Sequence, residues 1–302
     1  MKIKNWIKAA RLRTLPLAFS CVLLSASLVL ITQGHLSVKT LLLTLTTTLL
    51  LQILSNFAND YGDAMKNADE NRNGEQRMVQ SGKISKYQMK FAIVIFSILS
   101  LIIGFYLVFS VFKNDIFKIL IFLIIGVTAI VAAIKYTVGN SAYGYKAFGD
   151  LSVFIFFGIV GVIGSYYLFT KNFHWLTIPG SLFTGLMSCG VLNLNNMRDY
   201  ENDKNNNKVT LVVKMGVDKS KTYHFSLLIL SIISFISIVI YTNVYEYIFS
   251  IAPLFFIIRH MYFLNKHHSN NTLDSQLKTV ALSCFCCSIL SLIIGLVLVD
   301  FF

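Results

Sequence analysis

Two short stretches of this sequence concentrate oxygen donors: NFANDYGDAMKNAD, from Asn56 to Asp69, and NLNNMRDYENDKNNNKVTL, from Asn193 to Leu211. The whole chain of 302 residues carries only 14 acidic side chains, so clustering on this scale calls for a chemical reason. Asp60 and Asp63 are three apart, and Asp199 and Asp203 four apart, spacings that put each pair on one helical face. An asparagine precedes the first aspartate by four in each case, Asn56 before Asp60 and Asn195 before Asp199. A shift of 139 residues therefore superposes both pairs, which hints at an internal duplication.

Carboxylates on the last turns of a helix meet the partly negative end of its dipole, and paired carboxylates add their own repulsion. A divalent cation relieves both. Hard oxygen ligands suit Mg²⁺, which takes one or two carboxylates and completes its shell with water and phosphate oxygens. Two such clusters facing each other could hold a diphosphate, with Arg72, Arg77, Arg198 and Lys208 neutralising the remaining oxygens. Stabilised in this way, a diphosphate becomes a good leaving group. If an allylic hydrocarbon is attached to it, departure leaves a delocalised carbocation, which an apolar, aromatic-lined cavity would shelter from water. One of the aspartates could take a proton from an acceptor hydroxyl; the spacing does not say which.

These clusters must be positioned by membrane helices. The chain is 55% hydrophobic and only 13% charged, too apolar for a soluble domain of this length. Nine apolar runs are long enough to cross a bilayer, at about 15–33, 40–57, 91–112, 116–134, 149–169, 175–195, 223–242, 246–264 and 279–299. They do not alternate as barrel strands do, and prolines number three, so the expected fold is an all-α membrane bundle forming a single domain over 1–302. The first run has a basic flank like that of a signal peptide, but its apolar stretch continues to Ile31 and it reads as a retained helix. The two donor clusters fall at the ends of the second and sixth runs, with Asn56–Asp63 and Asn195–Asp203 on the last helical turns.

The net charge of +12 suggests nucleic acid until the placement of the charges is considered. With a cytoplasmic N-terminus, 22 of the 26 Lys/Arg fall in cytoplasmic segments, leaving Lys39, Lys113, Lys118 and Lys171 opposite. That is the positive-inside asymmetry, so the basic balance is topological and no nucleic-acid partner is expected. The expected location is the cell's inner (plasma) membrane, with the C-terminus on the side opposite the N-terminus. The five cysteines lie inside predicted helices and read as packing residues, Asp150 as a helix cap, and His260, His267 and His268 as solvated residues around a loop.

LSNFANDYGDAMKNAD and LNNMRDYENDKNNNKVTLVVKMG resemble the two Asp-rich motifs of the UbiA superfamily of intramembrane prenyltransferases, and most closely those of the 1,4-dihydroxy-2-naphthoate polyprenyltransferases. KYTVGNSAYGYKAFGDLSVFIFFG, from Lys135 to Gly158, is similar to a third stretch of that group. The resemblance covers essentially the whole chain. It implies about nine helices around a lipid-accessible cavity, and Mg²⁺-diphosphate bound by Asp60, Asp63, Asp69, Asp199 and Asp203. Asn56, Asn59 and Asn196 would accompany them, with Lys208, Arg72 and Arg77 at the family's basic positions. Tyr136 would lie near the reacting centre, with Lys135 a phosphate partner. The implied reaction joins a polyprenyl group to an aromatic acceptor acid, with loss of diphosphate and CO₂. Another acceptor, such as 4-hydroxybenzoate or homogentisate, is the nearest alternative, and a secondary transporter the alternative of another class. The sequence departs from the family at Asn67 and Asn207, where glycines are common, and at Glu75, where proline is frequent. It also appears one residue short between Asp69 and Arg72.

Overall fold

The structure is a computed structural model describing residues 3–66, 76–266 and 270–301. Among those residues nine helices are long and apolar enough to span a membrane: α1 (Ile3–Gln33), α2 (Val38–Met65), α3 (Lys86–Phe112), α4 (Ile116–Lys135), α5 (Gly149–Thr170), α6 (Thr177–Arg198), α7 (Val217–Tyr241), α8 (Tyr245–Lys266) and α9 (Leu273–Val299). Local chemistry sets several of the boundaries. The Ser37 hydroxyl accepts the Thr40 N–H to start α2, a reciprocal Ser85–Gln88 capping box starts α3, and Asp115 accepts the Lys118 N–H to start α4. Gly34, with φ of 70°, ends α1 in the left-handed conformation that glycine adopts without strain.

Two helices depart from regularity where they meet the interior. α1 breaks between Ala10 and Leu15, with Arg11 at φ 48°, a left-handed conformation rare for a non-glycine residue. α5 widens into a π-helix from Phe154 to Gly164, a form common at functional sites. The widened turn packs on α6 through bare backbone, since a Cβ on Gly158 would lie 2.6 Å from the Ser181 carbonyl oxygen and one on Gly185 would strike the Phe154 ring. The largest apolar cluster among the described residues joins α1, α6, α7, α8 and α9, with the Phe183 and Phe235 rings tilted against each other at 4.5 Å, and a second ties α2 to α3.

α2 continues past the apolar run that ends at residue 57 to Met65 and carries Asn56–Asp63 on its last turns as expected, because amides and carboxylates end a hydropathy run without ending a helix. The structure revises three other local expectations. Helix α6 stops at Arg198, and Tyr200–Asn205 is a separate short helix, so Asp199 sits at a bend and Asp203 beyond it. Arg198 and Asp199 form a buried ion pair, and neighbours in sequence point about 100° apart on a regular helix, so the chain turns there. Asp150 makes no capping bond and instead accepts the Tyr223 hydroxyl at 3.3 Å, while His260 is buried between His224 and Gln276.

Candidate active site

A cavity of about 620 Å³ runs between α1 through α6. One end is apolar, lined by residues such as Phe105, Leu107, Leu123 and Leu168, and at its margin Phe112, Phe122 and Tyr167 gather their rings 5.1–6.1 Å apart. The other end is lined by Arg11, Gln52, Asn56, Asn59, Asp63, Arg77, Tyr136, Asn195, Asn196 and Lys208. This is the profile of a ligand pocket: a mostly apolar wall with a few convergent polar groups.

The polar end is assembled from three loops and one helix break. Asn56 donates to the Ala10 carbonyl at 2.9 Å and the Thr14 hydroxyl at 3.1 Å, and Gln52 donates to the same hydroxyl. These bonds pin the break in α1 against α2 and bring Arg11 to the cavity. Two turns on from Asn56, Asp63 accepts the Arg77 guanidinium at 3.1 Å on one oxygen and the Tyr145 hydroxyl at 2.8 Å on the other. Tyr145 is also where the two motifs meet. Lys66 from the first lies 3.6 Å from its ring centroid and Lys208 from the second 5.5 Å, while an isolated parallel bridge pairs Lys146 with Val209.

Tyr136 occupies a slot that only glycines leave open. A Cβ on Gly144 would lie 2.6 Å from the Tyr136 carbonyl oxygen, and one on Gly149 would lie 2.8 Å from its hydroxyl. On the other side, a Cβ on Gly62 would lie 2.6 Å from the Thr137 hydroxyl, which donates to the Ala58 carbonyl at 2.9 Å. The Tyr143 ring meets that of Tyr136 edge-on at 5.4 Å. Burial, with the Asp150 charge next in weight, pushes the Tyr136 phenol well above its ordinary range, and burial raises Tyr143 too. Both are neutral hydroxyls at physiological pH, so they serve as hydrogen-bonding groups and π faces rather than bases. Lys66 is shifted the other way, below the ordinary lysine range, by partial burial opposed by Asp63 and reinforced by Lys208. Two cations repelling each other over one ring favour an anion between them.

Not every expected residue faces the cavity. Asn56, Asn59, Asp63, Arg77, Tyr136, Asn196 and Lys208 line it. Asp60 is 1% exposed and is spent on backbone, accepting the Met78 N–H at 3.0 Å and the Val79 N–H at 3.2 Å. Arg198 is buried against Asp199, Asn195 and Asp274, in a cluster that reaches Arg13 through Asp274. Asp203 is buried with a carboxylate oxygen 3.5 Å from the Lys208 ammonium. Lys135 is exposed, its ammonium beside Gly139 rather than in the cavity. Asp69 and Arg72 lie outside the described residues. Sequence reading missed Arg11, Gln52 and Lys66, the basic pair absorbed by the topological count. Tyr145 reads from sequence as either an interfacial or a pocket residue, and its carboxylate partner lies 82 residues away.

The donor set fits a hard cation. Asp63 and the asparagines at the polar end offer oxygen, as does Asp203 beside Lys208, and among the described residues no sulfur or imidazole lines that end.

Residues 18–298 match the UbiA prenyltransferase family. The chain is 40% identical to a 1,4-dihydroxy-2-naphthoate octaprenyltransferase of Haemophilus influenzae, over 83% of this chain and 82% of that protein. It is 42% identical to the protein of the same name from Escherichia coli, over 77% and 75%. In three dimensions it resembles a UbiA homolog from Archaeoglobus fulgidus bound to GPP and Mg²⁺, with TM-score 0.69, 15% identity and coverage of 98% of this chain and 99% of that one. An apo UbiA homolog from Aeropyrum pernix superposes with TM-score 0.68 at 14% identity, with both chains covered completely.

Proposed function

The chain belongs to the UbiA prenyltransferase family, and from that premise we propose that it transfers a polyprenyl group from its diphosphate to 1,4-dihydroxy-2-naphthoate, releasing diphosphate and CO₂ and giving a demethylmenaquinone. One observation carries the reading: Asp63, Lys66 and Lys208 converge on Tyr145 at the polar end of an otherwise apolar cavity. A molecule with a diphosphate head and a hydrocarbon tail matches that polarity end for end.

Asp63 and Asp203 are the carboxylates we assign to Mg²⁺. When bound, the metal supplies charge neutralisation of the departing diphosphate. The protein's own cations act on the same charge: Arg77 and Arg11 line the cavity, and Lys208 reaches it from the second motif. Held in place before reaction, they need no reorganisation as charge develops on the leaving oxygen. The allylic fragment left behind meets walls of Phe156, Phe157, Val153 and Leu192, which keep water from capturing it. Tyr136 and Tyr143 offer neutral aromatic faces to positive charge at the boundary between the two ends. The donor and the acceptor acid are the partners, with lipid around the apolar helices. The distribution of Lys and Arg supports a cytoplasmic N-terminus, and the membrane we assign is the cell's inner one.

The test uses the purified chain in detergent with Mg²⁺, a polyprenyl diphosphate and 1,4-dihydroxy-2-naphthoate, following pyrophosphate and CO₂ together. Stoichiometric release of both, abolished by EDTA and restored by Mg²⁺, is the expected result. Pyrophosphate and CO₂ both absent with this acceptor, but pyrophosphate released with 4-hydroxybenzoate, would overturn the choice of acceptor.

A further inference from the structure

We propose that Asp60 is a positioning residue rather than a metal ligand: its carboxylate clamps the backbone of Met78 and Val79 and so delivers Arg77 to Asp63 at the polar end of the cavity. This rests on the diphosphate reading above for its consequence, but not for its geometry.

Both Asp60 oxygens are engaged, one with each N–H, across 18 and 19 residues of chain. The turn they hold is closed on itself: Ser81 N–H donates to the Arg77 carbonyl, Gly82 N–H to Val79, and Ile84 N–H to Met78, with Gly82 at φ +69°. Met78 and Val79 are 1% and 7% exposed and pack in the apolar cluster between α2 and α3. A backbone buried in this way requires acceptors for its N–H groups. Turning Asp60 toward a cation would strip both.

Arg77 is the residue immediately before the clamped pair. Its guanidinium reaches the Asp63 oxygen at 3.1 Å and lines the cavity, as Asp63 does. Asp60 and Asp63 thus divide the work of one helical turn, the first fixing a backbone and the second meeting the side chain that backbone presents. An aspartate followed three residues on by a second one, which in sequence looks like a pair of ligands, is here an anchor and a functional group.

The experiment compares Asp60→Ala, Asp60→Asn, Asp63→Asn and Arg77→Ala in the full-length protein, reading Mn²⁺ binding with inorganic pyrophosphate by electron paramagnetic resonance and amide exchange by mass spectrometry. Asp60→Ala is expected to keep the wild-type Mn²⁺ stoichiometry and an affinity within about threefold, while exchange at residues 77–82 speeds up at least about tenfold. It should also weaken pyrophosphate binding about as much as Arg77→Ala, and the double variant should be no worse than either single one. Asp60→Asn, whose amide oxygen keeps one of the two bonds, should fall between Asp60→Ala and wild type, and it carries the test if the alanine variant does not fold. Loss of one Mn²⁺, or a weakening beyond tenfold as in Asp63→Asn, would overturn the proposal, as would unchanged exchange in the turn. A wild-type protein that binds no Mn²⁺-pyrophosphate would undo the diphosphate reading instead, leaving the exchange result to judge the clamp.

Discussion

The two motifs look alike in sequence and are built differently. At the end of α2, Asp63 receives its guanidinium from Arg77, in a loop docked through Asp60. At the end of α6, Asp199 takes both contacts from its own neighbour Arg198, which is held in turn by Asp274 at the start of α9. Asn56 and its sequence counterpart Asn195 both line the cavity, but Asn56 staples the break of α1 while Asn195 accepts from Arg198. The first motif is therefore a loop gripped by a helix, and the second a helix end locked by other helices. Equal spacing gave unequal duties, because the partners that define each duty come from elsewhere in the chain.

If the contrast holds, changes at the Asp63–Arg77 contact of the first motif should cost rate, and changes at the Arg198–Asp199 pair of the second should cost stability. The largest effect belongs to Asp63→Asn, expected to lower kcat/KM about a thousandfold, the scale of removing a group that acts on transition-state charge, with the thermal midpoint preserved. Comparable loss of both folding and activity would dissolve the contrast at once. Next comes Arg198→Ala, which takes the guanidinium away from the buried Asp199 and leaves Asp274 with Arg13, and should destabilise the protein by about 3 kcal/mol, read from thermal unfolding in detergent. An unaltered unfolding midpoint with lost turnover would move Arg198 into the catalytic group. Smaller again is Tyr145→Phe, which removes one hydrogen bond to the Asp63 carboxylate but keeps the ring under Lys66 and Lys208. Pyrophosphate affinity should fall about tenfold, in line with a hydrogen bond to a charged group. The smallest is a pH effect. Lys66 loses its proton below the ordinary lysine range, so pyrophosphate binding should weaken on the alkaline side earlier than an ordinary lysine predicts. Lys66→Arg, charged throughout, should move that alkaline limb upward; a limb that stays put would detach Lys66 from the anion.

Much of this was legible beforehand, and the remainder has a common cause. The nine spans follow from hydropathy, and the family resemblance follows from motif residues that sit near each other in sequence. Seven of the expected site residues line the cavity. What escaped were pairings between distant residues, Tyr145 with Asp63 and Arg198 with Asp274, and backbone departures such as the left-handed Arg11 and the π-helix of α5. Spacing reports which side chains share a face, but not whether that face meets a ligand, a loop or another helix. Asp60 and Asp63 share a face and have different neighbours. Asp150 and His260 failed in the same way, since both were read from the residues beside them and both are held by residues on other helices.

The Arg198 cluster also bears on how the chain comes into being. Everything the first motif uses on α1, α2 and the turn before α3 has been synthesised once residue 84 is made, so that part of the site can settle early. The second motif's guanidinium waits for Asp274, some seventy-six residues later, and Asp274 in turn joins Arg13 near the start of the chain. Synthesis proceeds from the N-terminus, so α9 follows the other eight helices and docks on α1. Until then a buried arginine lacks one of its two carboxylates, so the second motif takes its finished form only once α9 is inserted.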